Sequence, residues 1–158
     1  MALPFLHKFL TSFGRDKAIT QPVRESTHQW ALSVLGADGP QLLQFEVMGI
    51  GESAPRKAGI FIYACRRANE WRALYIGESA DLSARLAFNE IAADALLSGA
   101  TDIHIAKTNL DAKDRRDIAD RLILTNAPPL NEEERIKLET TAGGAIKPET
   151  KSAGIRAA

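Results

Sequence analysis

The stretch from Gly59 to Gly77, GIFIYACRRANEWRALYIG, constrains the fold more than any other part of the chain. Its two apolar runs, GIFIYAC and ALYIG, are short, rich in aromatic and β-branched residues, and separated by a basic, polar segment. Runs of this length read as strands rather than helices, and the segment RRANEWR reads as a longer connection between them. Upstream, HQWALSVLG and QLLQFEVMG flank ADGP, whose Asp-Gly pair is a hairpin signal.

After Gly77 the period changes. Leu82 and Leu86 are spaced as on a helix, with Ser79 and Asp81 both fitting a cap, and EIAADALLSG makes a second helical piece that Gly99 can end. TDIHIAK alternates as a strand does, and DAKDRRDIADRLILTN is helical until APPLN stops it. This order predicts an α+β domain with a small, mostly antiparallel sheet flanked by helices and an added N-terminal β-hairpin.

A chain of 158 residues suits one domain. We divide it into an amphipathic segment and linker at 1–27, the domain at 28–133, and a polar, partly helical then disordered tail at 134–158. Leu6, Phe9, Leu10 and Phe13 give the first segment one apolar face, suited to packing on the domain or on a protein partner. His7 and Lys8 interrupt it too early for a signal peptide or a membrane span. The 20 basic and 20 acidic residues cancel, so any nucleic-acid surface must be local. Cys65 is the lone cysteine and no zinc-like Cys/His spacing occurs, which predicts a reducing, cytoplasmic setting.

The run GIFIYACRRANEWRALYIGESADLSARL, followed by DIADRLILTNAPPLN, resembles the GIY-YIG nuclease family over roughly residues 59 to 131. The resemblance implies a site of two strand tyrosines, a helix arginine and a later glutamate around one divalent metal, closed by an asparagine. Tyr75 stands at the second tyrosine, Gly77 at the glycine after it, Arg85 at the arginine and Asn131 at the asparagine. Such groups suit phosphodiester cleavage, because a metal and a guanidinium stabilise charge on phosphate oxygens while a phenol helps activate water.

Two positions depart from the pattern: Phe61 stands at the first tyrosine and Ala119 at the metal-binding glutamate. Tyr63 shares a strand face with Phe61, but about 6.5–7 Å along the chain, and is expected to pack with its hydroxyl at an edge. Asp120 and Glu78 are the carboxylates open as displaced metal ligands, and Asp117 and Asp120 also read as solvated helix charges. Arg85 suits either a phosphate or a salt bridge, with Glu78 a candidate partner. Arg66, Arg67 and Arg72 in the connection, with Arg115, Arg116 and Arg121 on the late helix, are candidates for contact with a nucleic-acid backbone. His104 reads as a satisfied sheet-face histidine, and Cys65 as a packing residue.

The expectation is therefore a nuclease-like domain with a degenerate site, binding nucleic acid, DNA rather than RNA, with weak or no cleavage. Two alternatives stand beside it: an active Mg²⁺-dependent endonuclease with a displaced carboxylate, and a protein-interaction scaffold. The fold itself needs no cofactor, and Mg²⁺ enters only with catalysis.

Overall fold

The computed structural model describes residues 25–32 and 41–143. The amphipathic segment around Leu6 to Phe13, the ADGP turn and the chain beyond 143 lie outside the described residues. In order, the elements are β1 (Thr27–Leu32), β2 (Gln41–Gly49), β3 (Gly59–Arg67), β4 (Glu70–Ser79), α1 (Leu82–Ala87), α2 (Ile91–Leu97), β5 (Asp102–Lys107), α3 (Ala112–Asn126), a 3-10 turn (Pro129–Asn131) and α4 (Glu132–Gly143). This is an α+β fold. A five-stranded sheet runs β1-β2-β5-β3-β4 with every neighbouring pair antiparallel.

The strand pair of the opening motif is tighter than the sequence suggests. β3 and β4 continue into the polar segment, pairing Arg66 with Trp71 and Arg67 with Glu70, so only Ala68 and Asn69 turn the chain. Both take positive φ, 49° and 64°, as a two-residue turn matched to strand twist requires. Arg66, Arg67 and Arg72 are thus strand residues, not loop residues. A register shift between Tyr63 and Ala64 leaves Leu74 as the extra residue of a β-bulge.

Two helical layers bury the sheet's faces. On one, Ile60, Ile62, Ile76 and Phe45 pack with Leu122 and Ile123 of α3. On the other, Phe61, Tyr63, Ile103 and Ile105 pack with Leu82 of α1 and Ala95 of α2. Asp81 caps α1 by accepting from the Ala84 N–H at 3.3 Å, and Asp111 caps α3 by accepting from the Asp114 N–H at 2.8 Å. The division drawn between 133 and 134 falls inside α4, whose Leu138 packs on the α3-side core. Among the described residues no helix is long and apolar enough to cross a membrane.

The sheet is curled. Flat, its edge strands β1 and β4 would stand about 19 Å apart, yet the rings of His28 on β1 and Trp71 on β4 are 6.2 Å apart. Glu25, just before β1, closes the same seam by accepting hydrogen bonds from Trp71 Nε1 at 3.1 Å and Arg66 Nη2 at 3.2 Å.

Beneath the seam His104 is fully buried, and its Nδ1 accepts a 3.0 Å hydrogen bond from Trp30 Nε1. The neutral ring therefore carries its proton on Nε2, which has no partner among the described residues. The satisfied-histidine expectation holds for one ring nitrogen only.

Burial, with the nearby His28 adding and Glu25 opposing, pushes the His104 pKa down to about 4 from 6.5. His28 is itself lowered by burial, with Glu25 raising it and Arg66 lowering it further. Between the two His104 values the unfolded chain binds the extra proton, so stability is present above pH 6.5 and falls as the pH drops toward 4. The full loss is about 3 kcal/mol, of which about 2 kcal/mol is expected between pH 7 and pH 5. Urea unfolding at the two pH values checks this, and His104→Gln, which keeps an acceptor for Trp30, should remove most of that dependence.

Candidate functional site

The outer edge of β4, past Tyr75, forms one wall of a polar cleft of about 190 Å³. Tyr75, Gly77 and Glu78 come from β4, Arg85 from the last turn of α1, Arg116, Ala119 and Asp120 from α3, and Glu134 from α4. Four positions singled out in the sequence, Tyr75, Gly77, Arg85 and Ala119, therefore meet in one place, although they span 45 residues of chain.

Asn131 holds this wall from behind. It is 1% exposed, and its side-chain amide accepts from Ile76 N–H at 2.7 Å and donates to Ile76 C=O at 3.0 Å. One side chain thus takes the place of a neighbouring strand at the sheet's edge. The same Nδ2 also donates to Glu134 Oε2 at 3.2 Å, which ties α4 to the cleft.

Phe61 lies behind Gly77. It is fully buried, and a Cβ added at Gly77 would stand 2.5 Å from its ring tip. Glycine is needed there because the ring closes against the bare backbone. With no hydroxyl, Phe61 brings the cleft no polar group. Tyr63 is not among the residues that line the cleft. Its hydroxyl accepts from Asn89 Nδ2 at 3.3 Å, and its ring lines a separate cavity on the α1 side.

Tyr75 is 8% exposed. Burial raises its pKa and Glu134 raises it further, while the charge and hydrogen bond of Arg85, with Arg116, oppose the shift. The phenol stays protonated at neutral pH. Arg85 itself enters no ion pair with a described residue. The salt bridge to Glu78 open in the sequence does not form. Glu78 instead accepts from Arg115 Nε at 3.0 Å and from Arg116 Nη2 at 3.1 Å.

Arg115 is not an outer surface residue. Its side chain is 7% exposed and also donates from Nη1 to the Leu110 carbonyl at 2.8 Å. Arg116 is the exposed member of the pair and borders the cleft. Arg66 is held by Glu25 and lies over the Trp71 ring. Arg67 and Arg72 stand at the other end of the β3–β4 pair, away from the cleft. Arg121 pairs with Asp117 on the exposed side of α3 at 2.8 Å.

The carboxylates divide by environment. Asp117 remains a solvated helix charge, whereas Asp120 lines the cleft and is not simply solvated. Burial raises the Asp120 pKa, Arg116 opposes, and Glu134, Asp117 and Glu78 add to the rise.

Glu134 is the site residue that the sequence reading missed. Its only signal was helical spacing from Asn131, three residues earlier. Ala119, 3% exposed, packs with Leu122 and Ile123. A methyl group supplies no metal donor, and Glu78 is already neutralised by two arginines. Among the described residues no group of three or more His, Cys, Asp or Glu side chains is arranged to hold a metal. The donor set present therefore does not fit a resident divalent cation. Chemically, the cleft offers a guanidinium without a carboxylate partner among the described residues, beside a neutral phenol.

No family model matches this chain, and no curated protein or solved structure matches it either.

Proposed function

We propose that this chain is a GIY-YIG-like nucleic-acid-binding module, for DNA rather than RNA, whose nuclease site is degenerate and cleaves weakly or not at all. The observation that carries this reading is the convergence of Tyr75, Gly77, Arg85 and Ala119 on one cleft, with Arg85 hydrogen-bonded to the Tyr75 hydroxyl and in no ion pair with a described residue. A guanidinium in that position suits a phosphate oxygen, which it can meet with paired N–H groups.

The same geometry argues against efficient chemistry. Removing one preorganised group that stabilises developing charge lowers a rate by roughly 10²–10³. Here Ala119 replaces a metal carboxylate and Phe61 replaces a phenol.

The test is a panel of labelled single-stranded, duplex and branched DNAs, incubated with Mg²⁺ or Mn²⁺ and assayed for both cleavage and binding. The unmodified protein is expected to bind in a salt-sensitive way without cutting. Arg85→Ala should weaken binding about tenfold or more, the loss of a charge-assisted hydrogen bond worth about 1.5–3 kcal/mol. Metal-dependent cleavage that disappears in Arg85→Ala would overturn the degenerate reading, and Asp120 and Glu134 would then be the ligands to substitute. Neither binding nor cleavage would leave a protein-interaction scaffold.

A further inference from the structure

β4 faces two sites in succession. Residues Tyr75 to Glu78 line the cleft, and the four before them, Trp71 to Leu74, line a larger cavity of about 480 Å³. Its other walls are Trp30, Cys65 and Arg67, with Ser98 at the end of α2 and Asn126, Ala127 and Pro129 at the end of α3. The chain contains two tryptophans, and both border this space.

We propose that this cavity is a stacking subsite for an unpaired nucleotide of a nucleic-acid strand, with the base against the partly exposed Trp71 indole and the phosphate at Arg67 and Arg72. The proposal rests on the nucleic-acid reading above and extends it to a second, separate site.

Three observations carry it. First, Arg67 and Arg72 make no ion pair with a described residue, unlike Arg66, Arg115 and Arg116. Two guanidiniums in no ion pair with a described residue, across the β4 edge from the partly exposed Trp71 ring, match an anionic, flat aromatic ligand, which bases stacking on aromatic side chains beside a cationic backbone track exemplify. Second, the volume is of the size that holds a nucleotide-sized ligand.

Third, the strand edge is poorly suited to the other extended ligand, a peptide adding a β-strand. The bulge at Leu74 breaks the edge in the middle of the cavity wall, and Asn131 already occupies the edge at Ile76. Side chains, not a regular backbone ladder, are what this surface presents.

The two sites are also in line. Their centres along β4 are about four residues apart, or about 13 Å, so one extended strand can reach from Arg72 to Arg85.

The two tryptophans supply the readout. The full chain is titrated, following tryptophan fluorescence, with an oligothymidylate strand, the same strand made fully abasic, a blunt duplex, thymidine monophosphate, inorganic phosphate and polyglutamate. The base-bearing single strand is expected to quench the fluorescence and the abasic strand to leave it unchanged. Affinity for the two strands should differ by about 5- to 150-fold for each base stacked. Arg72→Gln should weaken the quenching titration about tenfold, while Arg85→Ala weakens affinity yet reaches the same final quench. Circular dichroism confirms that both variants are folded.

Equal quenching by the abasic strand, or quenching by polyglutamate instead, would overturn the proposal. Quenching by the monophosphate as tight as by the strand would overturn the assignment to a strand. Arg85-dependent binding with silent tryptophans would sink the subsite and leave the proposed function standing, whereas no binding by any nucleic acid would sink both.

Discussion

Arg115→Ala is expected to lower the unfolding free energy by about 3–5 kcal/mol, the range for breaking a buried ion pair from one side. Glu78 is 14% exposed and would keep only Arg116, which is itself 66% exposed. The Leu110 carbonyl would lose its 2.8 Å donor at the same time. Because a domain of this kind has only about 5–15 kcal/mol in total, such a loss is visible as a large fall in the urea midpoint at pH 7. Arg115→Lys should fall between the two, because an ammonium cannot serve the carboxylate and the carbonyl with the fixed fork of a guanidinium. The double variant Glu78→Gln with Arg115→Met should lose less than the sum of the single changes, since no charge is then left buried. Additive losses would show that the two side chains do not act as a pair.

That pair also illustrates what sequence reasoning could reach. Arg115 reads as one of several basic residues in a charged helical run, and nothing local distinguishes it from Arg116. Its burial depends on Glu78, 37 residues away on β4. By contrast, β3 was legible because a central strand buried on both faces shows as an unbroken apolar run. The grouping of Tyr75, Arg85 and Ala119 was expected only from the resemblance of their stretches to the GIY-YIG pattern, and the three do line one cleft. Ala119 packs with Leu122 and Ile123 on the apolar face of α3.

The misses share a cause as well. Ala68 and Asn69 form a left-handed turn that carries no glycine, so the local code pointed to a longer connection. The curl that brings His28 to Trp71 joins strands from opposite ends of the sheet order, and no local pattern encodes it. Glu134 was hidden because α4 has little apolar periodicity, so its residues read as tail.

The second large effect is expected at Asn131. Truncation to alanine leaves the Ile76 N–H and C=O buried without partners, at about 1–3 kcal/mol for each group. The loss of stability is therefore about 2–6 kcal/mol, measured by urea unfolding. A stability loss alone does not show where the side chain acts, so the local readout is hydrogen exchange at the Ile76 amide. That amide should exchange faster in Asn131→Ala by more than the change in global stability accounts for, while amides in β1 follow the global change alone. Asn131→Asp separates the two bonds further. An aspartate can still accept from Ile76 N–H, but it has no donor for Ile76 C=O and places a second carboxylate beside Glu134. It is expected to be nearly as destabilising as alanine at pH 7 and to recover as acid protonates it. An alanine variant as stable as the unmodified protein would mean that water satisfies the β4 edge, and that Asn131 does not hold the wall on which Tyr75 and Gly77 stand.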